Sequence, residues 1–308
     1  MKYLILLCSL FAFFAHSFAQ EDYFSRPDYV MVADTNTYRI ILANGNEIIG
    51  KIISQDRREM LVITNDKREI LIPQYEIKEF IVMSANDFNL KGVYLGKNKF
   101  ATRYFISTNG LPIRKGEHYV QWSLLGPDFQ FSVTDNFGVG FMTSWVGIPF
   151  IGTLKYSFKL GKATHFAIGF LAGTGSWAAP TWGGILPFGT ISFGNRQANI
   201  AFSAGYGVVW ADGNFQGRAL GSVAFMAKIG PKVSLVFDTF ILLPGQNKNP
   251  TIGDFSRSYN SYLFALIIPG LRWHLGEGRA FQFGLTAIYN QEEFVQVPIP
   301  MVQWYRSF

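Results

Sequence analysis

The chain is nearly without cysteine: among its 308 residues only Cys8 occurs, inside the first apolar run. Without that run no thiol remains, which excludes disulfides, thiolate nucleophiles and cysteine metal sites. Histidine is almost as scarce, with four in all. His118, His165 and His274 fall on separate segments, and none has a Ser or Asp at a spacing that signals a catalytic triad. No histidine–carboxylate motif points to a metal and no acidic run resembles a calcium loop. No catalytic, cofactor-binding or metal-binding residue is therefore assigned, no cofactor is expected, and the chain is not expected to be an enzyme. Beyond the first run no apolar stretch nears twenty residues, so a membrane-spanning helix is excluded. Charge is also sparse: 27 Lys and Arg against 21 Asp and Glu give +6, and charged residues make up 16%. No Lys/Arg-rich run occurs, and Arg57-Arg58 and Lys67-Arg68 sit beside Asp56, Glu59, Asp66 and Glu69, as in solvated hairpin turns. A nucleic-acid partner is not expected.

What is abundant is apolar and aromatic: hydrophobic residues reach 49%, aromatics 17%, and there are 31 glycines. The amino end reads as an export leader. Met1-Lys2-Tyr3 supplies a charge, residues 4–14 form an apolar run too short for a span, and Ser17-Phe18-Ala19 precedes Gln20 in the small-x-small pattern. Residues 1–19 are thus read as a signal peptide, whose loss takes the formal charge from +6 to +5 by removing Lys2.

The last two-thirds alternates with period two. Phe281-Gln282-Phe283-Gly284-Leu285 and Val302-Gln303-Trp304-Tyr305-Arg306-Ser307-Phe308 put apolar residues on one face, the signature of β-strands with two unlike faces. In an exported chain such a face meets lipid, and only a closed barrel satisfies strand backbones there. Residues 100–308 divide into about twelve segments, the first at 100–107 and the second at 118–134, where apolar parity switches across Gly126-Pro127-Asp128 and implies a bulge or an extra loop. Counting back from the carboxyl end, one set of connections is tight: Gly276-Glu277-Gly278, Gly230-Pro231, Asn195-Arg196, Gly161-Lys162 and Asp135-Asn136. The opposite set (109–116, 175–180, 211–217, 244–258 and 291–297) is expected to be longer, except at 146–149, which is the asymmetry of outer-membrane barrels. Trp122, Trp145, Trp177, Trp182 and Trp210 are placed near outer strand ends, and Trp273 and Trp304 near inner ends, as two aromatic girdles.

Residues 20–83 differ. Asn44-Gly45 closes a hairpin, Asn65-Asp66-Lys67-Arg68 a second, and residues 77–82 supply a fifth short strand. The pattern Leu42-x-x-Gly45-x-x-Ile48-x-Gly50-Lys51 resembles the first motif of Sm-like folds, which implies a small five-stranded SH3- or Sm-like β-domain. Residues 84–99 read as a linker.

Inside the barrel, Lys155, Lys159, Lys228, Lys232, Arg272 and His274 are read as a basic lumenal rim near the tight turns, able to favour anions or to pair with acids and snorkel into water. Asp238 is placed near mid-lumen with Lys155 or Arg103 as partner. Glycines such as Gly138 and Gly284 on the inner face either leave a passage or accept large side chains from across the lumen.

These segments, with the aromatic residue Phe308, resemble the Gram-negative outer-membrane β-barrel superfamily, in particular members with a small periplasmic β-domain before the barrel. The resemblance implies an outer-membrane location with that domain periplasmic, and contact with outer-membrane lipid and lipopolysaccharide. It also implies folding by the barrel-assembly machinery through Val302, Trp304 and Phe308, with Arg306 departing from that pattern. The expected function is a narrow pore or transporter for small solutes, with anions as a candidate class. The alternatives are a structural or assembly partner of another envelope protein, and an outer-membrane lipase or protease.

Overall fold

The computed structural model describes residues 36–308 apart from 56–57, 90–91, 176–180, 212, 246–262, 277 and 291–293, and apart from the side chains of 86 and 294–297. The expected leader and Trp177 lie outside the described residues. The chain forms two compact units that divide between Met83 and Ser84.

In the first unit, β1 (Tyr38–Leu42), β2 (Glu47–Gln55), β3 (Glu59–Thr64), β4 (Glu69–Pro73) and β5 (Ile77–Val82) form one antiparallel sheet in the order β4-β3-β2-β1-β5. Gly45 closes the first hairpin with φ +85, a left-handed conformation that glycine adopts at no steric cost. The Asn46 amide is held by the Asn44 side chain. Ile40, Leu42, Met60, Val62 and Ile72 form the core.

The second unit is a closed antiparallel barrel of twelve strands. They are β6 (Tyr119–Ser123), β7 (Pro127–Ser132), β8 (Phe137–Thr143), β9 (Phe150–Lys159), β10 (Thr164–Thr174), β11 (Trp182–Gly194), β12 (Ala198–Ala211), β13 (Asn214–Gly230), β14 (Val233–Leu242), β15 (Phe264–His274), β16 (Arg279–Asn290) and β17 (Phe294–Ser307). Each pairs with the next, and β17 closes on β6 through Gln303↔Ser123 to Ser307↔Tyr119. Along β9 the exposed Leu154, Tyr156 and Phe158 alternate with inward Lys155 and Ser157. The outward face is therefore apolar in an environment where water would select against it.

The strand number agrees with the sequence reading, but the strands do not all fall where that reading puts them. Residues 100–107 are not a barrel strand. Phe100, Ala101, Tyr104 and Phe105 are all buried, so neighbouring residues are enclosed in pairs and no face is left for lipid. The lost strand is replaced because 118–134 is two strands: Ser123 and Gly126 exchange backbone hydrogen bonds and close a turn where apolar parity switches. Residues 109–116 are not a connection at the long-loop end. They return to the tight-turn end, where the Lys115 amide donates to Asp135 and Arg196 donates to Pro112 and Glu117. The connections near 211–217 and 291–297 are shorter than expected, because β13 begins at Asn214 and β17 at Phe294. Trp122 is level with the inner tryptophans: it pairs with Trp304, which pairs with Phe281, which pairs with Trp273.

Because the two units have separate cores, Met60→Ala should lower the stability of the first by about 2–5 kcal/mol through the cavity it leaves. The heat-modifiable gel migration of the barrel should not change. Denaturant titration followed by limited proteolysis of residues 36–83 measures the first effect, and gel shift the second.

Candidate functional site: a filled lumen and the cavity above it

The barrel interior is occupied by the chain's own residues 98–113, and the exposed Lys97 and residues 114–116 on either side mark where the segment enters and leaves at the tight-turn end. An irregular backbone can lie inside a barrel only if its polar groups find partners. Here the barrel wall provides them. The Arg272 guanidinium is fully buried and donates from Nη1 to the Phe100 carbonyl at 2.6 Å and from Nη2 to the Arg103 carbonyl at 2.7 Å. Its Nε donates to Gln282 at 2.6 Å and its plane lies 4.6 Å from the Tyr305 ring centroid. Lys228 Nζ donates to the Gly96 and Lys97 carbonyls, and Lys155 Nζ to the Asn109 carbonyl at 2.7 Å and to Thr108. Asp238 does the converse. It accepts from the Ile106 amide at 2.7 Å, the Ser107 amide at 2.9 Å and the Ser107 hydroxyl at 2.6 Å. Its partner is thus the inner segment and neither Lys155 nor Arg103. Arg103 pairs instead with Asp128 at 2.6 Å. Burial works against the charged form of Arg103, and the adjacent Asp128 carboxylate favours it. Burial pushes the Tyr104 phenol well above its ordinary value, so it stays a neutral donor to Asn199 at 2.5 Å.

The six residues read as a basic rim separate into three groups. Lys155, Lys228 and Arg272 hold the inner segment. His274 Nε2 lies 2.8 Å from the Ser234 hydroxyl. Lys159 and Lys232 are exposed at the tight-turn end. Two glycines on the inner face receive bulk from the same segment. A Cβ on Gly284 would come within 2.5 Å of the Phe105 ring, and one on Gly138 within 3.1 Å of Ile113. The residues that sequence reasoning missed are Arg103 as the partner of Asp128, together with Tyr104, Ser107 and Asn109. Their signal was present in the polar residues interrupting the apolar set at Thr102-Arg103 and Ser107-Thr108-Asn109.

Above the inner segment, toward the long-loop end, a cavity of about 470 Å³ remains. Phe105 and Ile106 form its floor, Leu171, Leu186, Phe188 and Leu220 its walls, and Leu125, Pro127, Ser144 and Pro149 part of its rim. Of the nominated assembly signal, Trp304 and Phe308 are exposed, Arg306 shares their outward parity, and the Phe308 amide donates to the His118 carbonyl where the barrel closes.

A closed twelve-stranded barrel with an apolar outer face is the architecture of outer-membrane β-barrel proteins. No family model matches the chain, and no curated protein is similar to it in sequence. Among solved structures, the NanC porin is 9% identical with a TM-score of 0.44, over 62% of this chain and 98% of that one. The outer-membrane channel DcaP of Acinetobacter baumannii is 10% identical with a TM-score of 0.34, over 89% and 94%. A loop-deletion mutant of OmpT, an outer-membrane protein of Vibrio cholerae, is 11% identical with a TM-score of 0.36, over 89% and 96%. At these scores neither solute nor mechanism transfers.

Asp238→Ala leaves the Ile106 and Ser107 amides buried without acceptors, each costing about 1–3 kcal/mol. In the leader-less chain, which lacks cysteine, Asn109→Cys should therefore react with a small maleimide at least about tenfold faster when Asp238→Ala is also present. Equal rates would show that the carboxylate does not hold the segment.

Proposed function

We propose that this protein is an outer-membrane barrel acting on small solutes as a narrow, normally closed channel or transporter, with the inner segment as its closure. The observation that carries this reading is the contrast along the lumen. The tight-turn half is packed by a tethered segment, whereas the half above it holds a cavity large enough for a small molecule. A tether built from a few charge-assisted hydrogen bonds is strong yet reversible. The earlier expectation of anion preference loses support, because Lys155, Lys228 and Arg272 spend their donors on carbonyls of the segment. The five-stranded order β4-β3-β2-β1-β5 supports an SH3- or Sm-like domain, which this reading puts in the periplasm. The outward exposure of Trp304 and Phe308 supports their use as an assembly signal. The filled lumen also favours a second reading, an impermeable barrel that serves as a structural partner of another envelope component.

Planar-bilayer recording separates the two. The channel reading expects long closures in the unmodified protein and at least about tenfold more open time in Arg272→Met, which removes the donors to Phe100 and Arg103. A barrel that stays silent in both forms and co-purifies with one fixed partner supports the second reading.

A further inference from the structure

The barrel wall is not of even height. β6, β7 and β8 have 5, 6 and 7 residues, whereas a strand needs about 9–11 to cross a bilayer. The other nine strands have 10 to 17. β6 pairs with β17 only from Gln303 to Ser307. Among the described residues, 294–302 of β17 thus have no strand beside them on the side away from β16. Such an edge in lipid is costly unless its donors are reduced. The Ser307 amide donates toward β16, to Gly278, and the Phe308 amide toward β6, to His118. Over the unbroken register of residues 299–307 the even-numbered amides therefore face away from β16, and Pro300 removes the donor at one of them, as edge-strand prolines do. The tips of the short strands are apolar, unlike turns that meet water: Leu124, Leu125, Trp145, Val146 and Ile148 are all exposed.

The cavity above the inner segment opens at this low wall, with Leu125, Gly126, Pro127, Thr143 and Met301 among its lining residues. Its charges are already matched, Arg103 by Asp128 at 2.6 Å. Among the described residues, four that line it carry a buried polar atom without a partner: Arg103 Nε, Gln121 Oε1, Thr143 Oγ1 and Ser222 Oγ. Together these are a donor, an acceptor and two hydroxyls, with no unmatched charge. An ionic head group would be desolvated there without a counter-ion, whereas a neutral head that both donates and accepts would be satisfied.

From this geometry we infer that the cavity is a binding site for an uncharged amphipathic molecule, an acyl or similarly apolar body with an amide- or alcohol-like head. It is reached sideways from the membrane through the low wall at β6–β8. The site shares the lumen with the proposed channel but does not require passage through the inner segment, so binding and conductance fail independently.

The test uses the full leader-less chain in lipid nanodiscs and three photoreactive probes with one diazirine-bearing alkyl chain: a primary amide, a carboxylate and an ammonium. Mass spectrometry of the digested protein locates the label. The amide should label the cavity lining around Ile106, Leu171 and Met301 at least about fivefold more than either ion. Unlabelled fatty amide should compete, and labelling at lipid-facing Leu154 and Leu285 should be the same for all three. Ser222→Phe, which fills the cavity, should abolish lining label with heat-modifiable migration intact. Gln121→Leu, which keeps the volume, should retain label but bring the amide-to-carboxylate ratio near one. Enlarging the rim residue Leu125→Trp should slow labelling from the bilayer. Label confined to lipid-facing positions, equal label from all three heads, or a preference unmoved by Gln121→Leu would each overturn the assignment.

Discussion

The structure depends on one constraint: a backbone without regular structure lies inside the barrel, and every buried carbonyl and amide of it must find a partner there. Water cannot serve freely in a packed lumen, and the strands have spent their own backbone groups on their neighbours. The partners must be inward side chains. Arg272, Lys228 and Lys155 supply donors, and Asp238 supplies the acceptor. These side chains can be buried with charge because they meet several polar groups at once. Gln282, Gln303 and Tyr305 extend the network around Tyr104 and Phe105.

Shape follows from the same requirement. With the segment filling the tight-turn half, small residues at Gly138 and Gly284 make room for Ile113 and Phe105. The free volume is pushed to the other half, where the wall is lowest. An even wall would have enclosed the cavity. The short strands, the apolar turns and the proline on the β17 edge instead leave its mouth bordered by groups that tolerate lipid.

The chain itself determined that it is a β-protein with a lipid-compatible barrel, because period two and repeated outward Phe, Leu and Trp are local properties of the strand. The five short strands before the barrel were legible for the same reason, with turn chemistry at Asn44-Gly45 marking the first hairpin. The inward placement of Lys155, Lys228 and Arg272 also followed from parity. What parity could not decide was which segment leaves the wall. Phe100-x-Thr102-x-Tyr104-x-Ile106 has the same alternation as a strand, and only enclosure on all sides shows that it lies inside. Likewise the switch at Gly126 reads equally as a bulge or a turn, until backbone bonds between Ser123 and Gly126 settle it. Partner identity was beyond the sequence for a physical reason. Arg103 with Asp128, and Asp238 with Ile106 and Ser107, are contacts between distant parts of the chain. They exist only once the barrel has closed around the segment, and no local pattern encodes them.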